Sequence, residues 1–175
     1  MKEMVGSRSV ITILKIFEFP FSDSLSGSNF TIDGLYINRP ETNSIGLFGF
    51  TNGASLENIG LTNVSIIGGT KVGALSGYNL GSIIISGCHS SGNIGAEMIE
   101  GNAGRLIGYN MNSDISDSFS NANVDSHQNV GWLTGTNRND SVISNSYNTG
   151  SSVYFFRAME LGRWIGWRKL VSQDQ

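Results

Sequence analysis

Few side chains in this sequence have the chemistry of a nucleophile or a base. Cys88 and His89 are adjacent and supply one of each by residue type, and His127 directly follows Ser126. Neighbouring residues of a β-strand point to opposite faces, so the side chains of Cys88 and His89 would not meet. A Ser–His pair is recognised by its geometry rather than by adjacency in the chain. The sequence therefore predicts no catalytic residue, and we expect a structural position for His89 and a solvated loop for His127.

Carboxylates are the second group of residues with possible chemistry. Asp114, Asp117, Asp125 and Asp140 lie in the polar second half of the chain, and a carboxylate pair a few ångström apart is the arrangement used in glycoside hydrolysis. Asp114 and Asp140 precede the same apolar position in successive units, which places them about 4.8 Å apart if the units stack as strands. Such a pair would either bind calcium or be solvated. One cysteine and two distant histidines give no zinc pattern, so we expect no resident cofactor.

Repeats are the elements that must position these side chains. The frame small-apolar, Gly, any, Leu, any, Gly, any, Asn occurs at residues 72–79, 103–110, 130–137 and, in a looser form, 45–52. A second phrase follows half a repeat later, at residues 85–89, 115–119 and 143–147. Self-similarity at such intervals is typical of stacked structural units. Glycine recurs too often, and β-branched residues with Asn and Ser are too common, for amphipathic helices.

A unit of this size cannot bury an apolar face alone. The repeats therefore predict an all-β fold, a parallel β-helix or β-solenoid of about four coils, with 27–31 residues in each. The general rule for parallel strand crossovers makes it right-handed. Like residues should lie above like. The predicted columns are Phe48, Leu75, Leu106 and Leu133; Ile85, Ile115 and Ile143; and a turn column of Asn52, Asn79, Asn110 and Asn137.

The predicted solenoid covers residues 21–153. It comprises a lead-in at 21–44 and repeats at 45–71, 72–102, 103–129 and 130–153. Residues 1–20 and 154–175 share nothing with the repeats, and this change at both ends favours a fragment of a longer protein. The tail has a loosely helical apolar spacing at Phe156, Met159, Trp164, Trp167 and Leu170. It is interpreted either as a cap over the open end of the solenoid or as the product of a frame error or truncated gene.

Composition limits the class of protein. Apolar residues make up 39% and charged residues 14%, with Gly at 23 and Pro at 2 among 175 residues. This is typical of a turn-rich all-β chain rather than a disordered one. The net charge of −3 and the lack of a basic stripe argue against nucleic acid as a partner. No apolar run reaches the length of a membrane span, and a single cysteine excludes an intramolecular disulfide.

Aromatic residues give the one candidate binding surface. Tyr78 and Tyr109 fall in one predicted column, between Thr51 and Thr136 and next to the asparagine column. Aromatic rings beside amides suit a sugar or a peptide on an extended solenoid face. The predicted binding residues are Tyr78, Tyr109, Asn79, Asn110 and Asn137. The alternative is that the tyrosines only pack at a corner.

The repeated V-G-x-L-x-G-x-N, followed by I-S-N-S-Y-N-T-G, resembles the bacterial GLUG motif repeat. Residues 130–150 are the closest copy, and the resemblance covers about residues 21–153. It implies a β-solenoid segment outside the cytoplasm, in a secreted or surface-anchored protein. Such proteins include adhesin-like proteins of the filamentous haemagglutinin kind and immunoglobulin A1 peptidases. The resemblance carries no catalytic residues.

Three functions follow as expectations. The first is a non-catalytic stalk or adhesive module that contacts a glycan or a host surface protein, and the repeats favour it. The second is a β-helix lyase or hydrolase that degrades a polysaccharide with carboxylates on one face. The third is an accessory region of an immunoglobulin A1 peptidase-like protein whose catalytic domain lies outside this chain.

Overall fold

The structure is a computed structural model, and it describes residues 19–160 and 163–173. Throughout these residues every regular element is a β-strand, and parallel strands stack as a β-solenoid of about four turns. Backbone hydrogen bonds between successive coils run along the solenoid axis. The all-β solenoid expected from the repeats is therefore confirmed.

The described strands form three sheets. The first contains β1 (Ser24–Ser26), β4 (Phe48–Asn52), β5 (Ser55–Glu57), β7 (Ser76–Ser86), β10 (Ile107–Ser116), β14 (Thr134–Arg138) and β15 (Ile143–Ser144). The second contains β2 (Thr31–Asp33), β3 (Tyr36–Arg39), β6 (Gly60–Gly68), β8 (His89–Ala96), β11 (Phe119–Ser120), β12 (Asn123–Ser126), β16 (Tyr147–Asn148), β17 (Ser151–Glu160) and β18 (Arg163–Gln173). The third pairs β9 (Asn102–Gly104) with β13 (Asn129–Gly131).

The isoleucine column is present and longer than the sequence predicted. Ile115 pairs with Ile85 on one side and with Ile143 on the other. The column continues through Leu56 to Leu25 in the first coil. The three inner members are fully buried, whereas Leu25 and Ile143 at the two ends are 40% and 39% exposed. One column of aliphatic side chains thus runs through every coil and forms the centre of the core.

The first copy of the repeat is offset by one residue from the others. The strand begins two residues after Gly46, at Phe48, but three residues after Gly73, at Ser76. Phe48 therefore pairs with Ser76, so its predicted place in the Leu75 column is wrong. Thr51 likewise pairs with Asn79, where the prediction had Asn52. The shorter connection shifts the strand Phe48–Asn52 by one position relative to the repeat frame.

The paired glycines of the repeat frame allow close approach between coils. A Cβ on Gly77 would collide with the backbone of Ser44, and one on Gly108 would collide with the backbone at Lys71 and Val72. Neither glycine has a positive φ. These glycines are therefore required by the distance between neighbouring coils and not by an unusual backbone conformation.

The tail is a hairpin of strands. β17 pairs in parallel with β12, with Val124 beside Ser152, and then pairs in antiparallel fashion with β18 along its whole length. The helical interpretation of the tail is therefore wrong. The spacing of a few apolar residues does not distinguish a helix from a strand. Without β17, the edge of β12 would have unpaired backbone N–H and C=O groups, and a strand can hydrogen-bond to them where a helix cannot. β17 begins within the predicted solenoid, at Ser151, and continues beyond its predicted end.

Truncation of the isoleucine column should cost most at its centre. We expect Ile85→Ala to lower the free energy of unfolding by about 2–5 kcal/mol, because it leaves a cavity among fully buried neighbours. Ile143→Ala makes the same chemical change at a partly exposed end and should cost much less. Guanidinium unfolding followed by circular dichroism measures both. Equal losses for the two variants would contradict a continuous core.

Candidate functional site

The predicted tyrosine column exists, with one change of membership. Tyr78 pairs with Tyr109, and Phe50, rather than Thr51, lies beside Tyr78. The ring centroids of Phe50 and Tyr78 are 5.1 Å apart, and those of Tyr78 and Tyr109 are 5.2 Å apart with an edge-to-face angle of 85°. Both tyrosines are half-buried. The column continues to Thr136 beside Tyr109, as predicted.

A single lysine lies over both tyrosine rings. The Nζ atom of Lys71 is 4.8 Å from the centroid of Tyr78 and 5.7 Å from that of Tyr109, which is the geometry of a cation–π contact. Burial raises the pKa of the Tyr78 hydroxyl above its usual value, and the neighbouring Tyr109 raises it further. The surface therefore presents a positive charge held against two aromatic rings.

The asparagine column is a buried hydrogen-bond ladder. Thr51 Oγ1 donates to Asn79 Oδ1 at 2.6 Å, and Asn79 Nδ2 donates to Asn110 Oδ1 at 3.2 Å. Asn110 Nδ2 donates to Asn137 Oδ1 at 2.8 Å and also to the Ser113 carbonyl at 2.7 Å. Each coil thus satisfies the amide of the next. A buried amide left without these partners would carry a large desolvation cost.

This geometry corrects the predicted role of the asparagines. They lie within strands and have ordinary negative φ angles, so they do not form a turn column. Asn79 and Asn110 are fully buried, which removes them from any surface that a ligand could reach. Asn137 is exposed at the end of the ladder, and Asn52 lies beside Leu80 rather than in the ladder. The repeat period and the residue type predicted that the asparagines stack, but they did not predict that the side chains point into the core.

The aspartates are spread over separate positions. Asp114 lies one residue before Ile115, whereas Asp140 lies three residues before Ile143, so the strand register does not pair them. The Asp114 carboxylate accepts a hydrogen bond from the Val142 N–H at 3.0 Å. Within residues 19–160 and 163–173, no group of three or more His, Cys, Asp and Glu side chains could hold a metal ion.

Cys88 and His89 point to opposite sides of the wall, as predicted. The Cys88 thiol is fully buried, and its sulfur lies 3.4 Å from the carbonyl oxygens of both Leu56 and Ser86, either of which can accept its single proton. The His89 ring lies on the outer side and stacks on Phe119, which in turn stacks on Tyr147, with centroid distances of 5.0 and 5.3 Å. Both residues are members of ladders, and the two side chains do not meet.

The side chains of Ser126 and His127 also lie in different environments, although the two residues are adjacent. Ser126 is fully buried and donates to the Gly101 carbonyl at 2.9 Å. His127 is half-buried, and its Nδ1 lies 3.5 Å from the Ala96 carbonyl. The predicted solvated loop for His127 is thus only partly correct, because the ring contacts the backbone of the preceding coil.

Arg105 is the residue whose importance the sequence reasoning missed. It occupies a variable position of the repeat frame, yet its side chain is fully buried. Its guanidinium donates to the carbonyls of Ala122 and Gly150 at 2.7 Å each and to the hydroxyl of Ser152 at 2.9 Å. The interaction joins the coil of residues 103–129 to the coil of residues 130–153. One feature of the sequence could have revealed this role: the other copies of the repeat have Leu, Ala and Trp at the position where this copy has a cation.

Removing the central amide of the ladder should destabilise the fold strongly. Asn110→Ala deletes two donated hydrogen bonds and one accepted one and leaves buried partners unsatisfied, so we expect a loss of about 2–4 kcal/mol in the free energy of unfolding. Asn137→Ala, at the exposed end, should lose about 1 kcal/mol or less. Urea unfolding of both variants tests this. A smaller effect at Asn110 than at Asn137 would refute the ladder.

The Cys88 thiol should be unreactive in the folded protein. Burial raises its pKa to about 11, and the thiolate is the reactive form. Two pKa units reduce the thiolate fraction by about 100-fold, and burial also blocks access. We therefore expect a disulfide-exchange reagent at pH 8 to label native protein at least about 100-fold more slowly than protein in 6 M guanidinium. Similar rates in both conditions would contradict the buried position.

Comparison with known proteins gives one informative similarity. The chain is 35% identical over 121 residues to Halomucin from Haloquadratum walsbyi (strain DSM 16790 / HBSQ001), a match that covers 66% of this chain and 1% of Halomucin. The chain therefore spans about one hundredth of the length of this relative. No family model matches the chain, and no solved structure matches it. The described residues contain no helix of the length and apolarity that crossing a bilayer requires.

Proposed function

We propose that this chain is a non-catalytic β-solenoid segment of a secreted or cell-surface protein, where it acts as a stalk or an adhesive module. The observation that carries the proposal is the continuity of its ladders. Aliphatic, amide and aromatic columns each run through successive coils in strict register. Such a structure extends along one axis and presents long side walls, which suits a spacer with a binding face.

The similarity to Halomucin supports an extracellular setting. That name places the relative among the mucins, a class of extracellular proteins, and only 1% of it corresponds to this chain. A modular segment of a very long protein fits this relation. The likeness of the repeats to the GLUG motif supports the same setting, and we propose that the solenoid belongs to that class of repeat.

The adhesive surface that we propose is the tyrosine column with its lysine. Tyr78 and Tyr109 offer ring edges and hydroxyls, and Lys71 offers a positive charge at the same place. Partly exposed aromatic rings beside a cation suit a glycan or a host surface protein, since both present hydroxyl and acidic groups next to apolar patches. Thr136 continues the surface along the column.

A binding array tests this function directly. The full chain is applied to arrays of complex glycans and of extracellular matrix proteins, beside the variant Tyr78→Ala/Tyr109→Ala. We expect the wild type to bind at least one ligand and the double variant to lose at least about tenfold in affinity, which corresponds to 1.4 kcal/mol.

The matched control is Phe119→Ala/Tyr147→Ala, which truncates two stacked rings on the other aromatic ladder. Its binding should equal that of the wild type. Circular dichroism and thermal melting confirm that each variant is folded. If the folded wild type binds no ligand on either array, the adhesive role is excluded and the stalk role stands. If both double variants lose binding equally, the tyrosine column is not the site.

A further inference from the structure

The outer face of the second sheet contains a shallow depression. Outward-facing positions of β6, β8, β12 and β17 form two columns there, one of polar residues (Ser65, Asn93 and Asn123) and one of mixed character (Ile67, Gly95, Asp125 and Val153). Between these columns lies a pocket of about 300 Å³, at the lower end of the roughly 300–1,000 Å³ that ligand pockets occupy. The depression lies where Gly95 contributes no side chain.

The backbone does not require glycine at this position. Gly95 has no positive φ. A Cβ there would meet its nearest atoms at 3.7 Å (Glu97 Oε1) and 3.8 Å (Ile67 Cγ1), which are ordinary contact distances. The glycines of the repeat frame, such as Gly77 and Gly108, would instead collide with backbone atoms. A Cβ therefore fits at Gly95, and a β-branched residue would favour the strand, so neither the backbone angle nor a Cβ contact requires glycine here.

We propose that the depression at Gly95 binds one uncharged, polyhydroxylated sugar ring of a saccharide. The pocket is the size of a monosaccharide or disaccharide unit. Ile67, whose Cγ1 lies 3.8 Å from the position of a Cβ on Gly95, supplies the apolar surface on which the C–H face of a sugar ring packs. The rim supplies both kinds of hydrogen-bonding group that hydroxyls need, with amides and a hydroxyl in one column and the Glu97 carboxylate beside the other.

Two rim residues are placed to contact the ring. The Glu97 carboxylate lies over the depression, since its Oε1 is 3.7 Å from the position of a Cβ on Gly95. A carboxylate accepts hydrogen bonds from neighbouring hydroxyls. Asn93 Oδ1 accepts from Asn123 Nδ2 at 3.2 Å, and within the described part of the chain Asn93 Nδ2 has no protein acceptor. One acceptor and one donor thus face the same small space.

The same features disfavour other ligands. β8 pairs with β6 and β12, and β12 also pairs with β17, so no strand edge is available there for a peptide to extend the sheet. The Glu97 carboxylate over the depression would repel phosphates, sulfated sugars and uronic acids. The site lies on a different sheet from Tyr78 and Tyr109, and its function does not depend on the tyrosine column.

Native affinity electrophoresis of the full chain tests the proposal. The gels contain galactomannan, xyloglucan, mixed-linkage β-glucan or amylopectin as uncharged probes, and polygalacturonate and chitosan as charged comparisons. We expect retardation in at least one uncharged polysaccharide. Gly95→Val fills the depression and should weaken that retardation at least about tenfold, while its melting temperature is equal to or above that of the wild type. Glu97→Ala, an exposed substitution, should also weaken it.

Phe119→Ala/Tyr147→Ala is the control, and its retardation should equal that of the wild type, while Tyr78→Ala/Tyr109→Ala is run beside it as the tyrosine variant. Absence of retardation of the folded wild type in all four uncharged polysaccharides would overturn the proposal. Retardation by a charged polymer alone would overturn it as well. So would unchanged retardation of both Gly95→Val and Glu97→Ala. Loss of retardation only in the tyrosine variant would place saccharide binding on the tyrosine column instead.

Discussion

Hydrogen bonding from coil to coil along the axis is the interaction on which the rest of this structure depends. The backbone of each inner strand is hydrogen-bonded to the coil on either side, so no coil is stable without its neighbours. The same constraint governs buried side chains. The amide of Asn110 is tolerable in the core only because Asn79 and Asn137 lie at the same position in adjacent coils. Buried polar side chains therefore require a polar partner at the same position in the neighbouring coils, which is why the sequence repeats.

That constraint divides the side chains of each strand between two tasks. On β7, Tyr78 faces outward while Asn79 completes the buried ladder, and on β8 the inward Ile94 follows the outward Asn93. The inner positions hold the coils together. The outer positions are released from that demand, and both proposed binding surfaces consist of them. A wall of this kind can vary its outer chemistry without altering the register of its core.

The sequence predicted the fold and the main columns because repetition records which residues are stacked. Ile85, Ile115 and Ile143 were identified correctly because each begins a short phrase that recurs without gaps, even though the register shifts before it. The offset at Phe48 was missed because motif alignment follows residue similarity, whereas strand register follows the length of the preceding connection. The inward direction of Asn79 was missed because asparagine is common in turns. The partners of Arg105 lie on the opposite wall of its own coil and of the next one, 17 and 45 residues away, and the spacing of the repeats does not reveal them.

Arg105 has a consequence for how such a chain changes in evolution. Repeated genes gain and lose whole units by unequal recombination, and a perfectly regular solenoid would accept any such exchange. Here the guanidinium donates to the Ala122 carbonyl of its own coil and to the Gly150 carbonyl and the Ser152 hydroxyl of the following coil. Deletion of that coil would strand a cation in the interior, at a cost of several kcal/mol. One buried charge thus fixes the order of two coils. Loss of either coil would destabilise the protein, so selection would act against such a change in copy number.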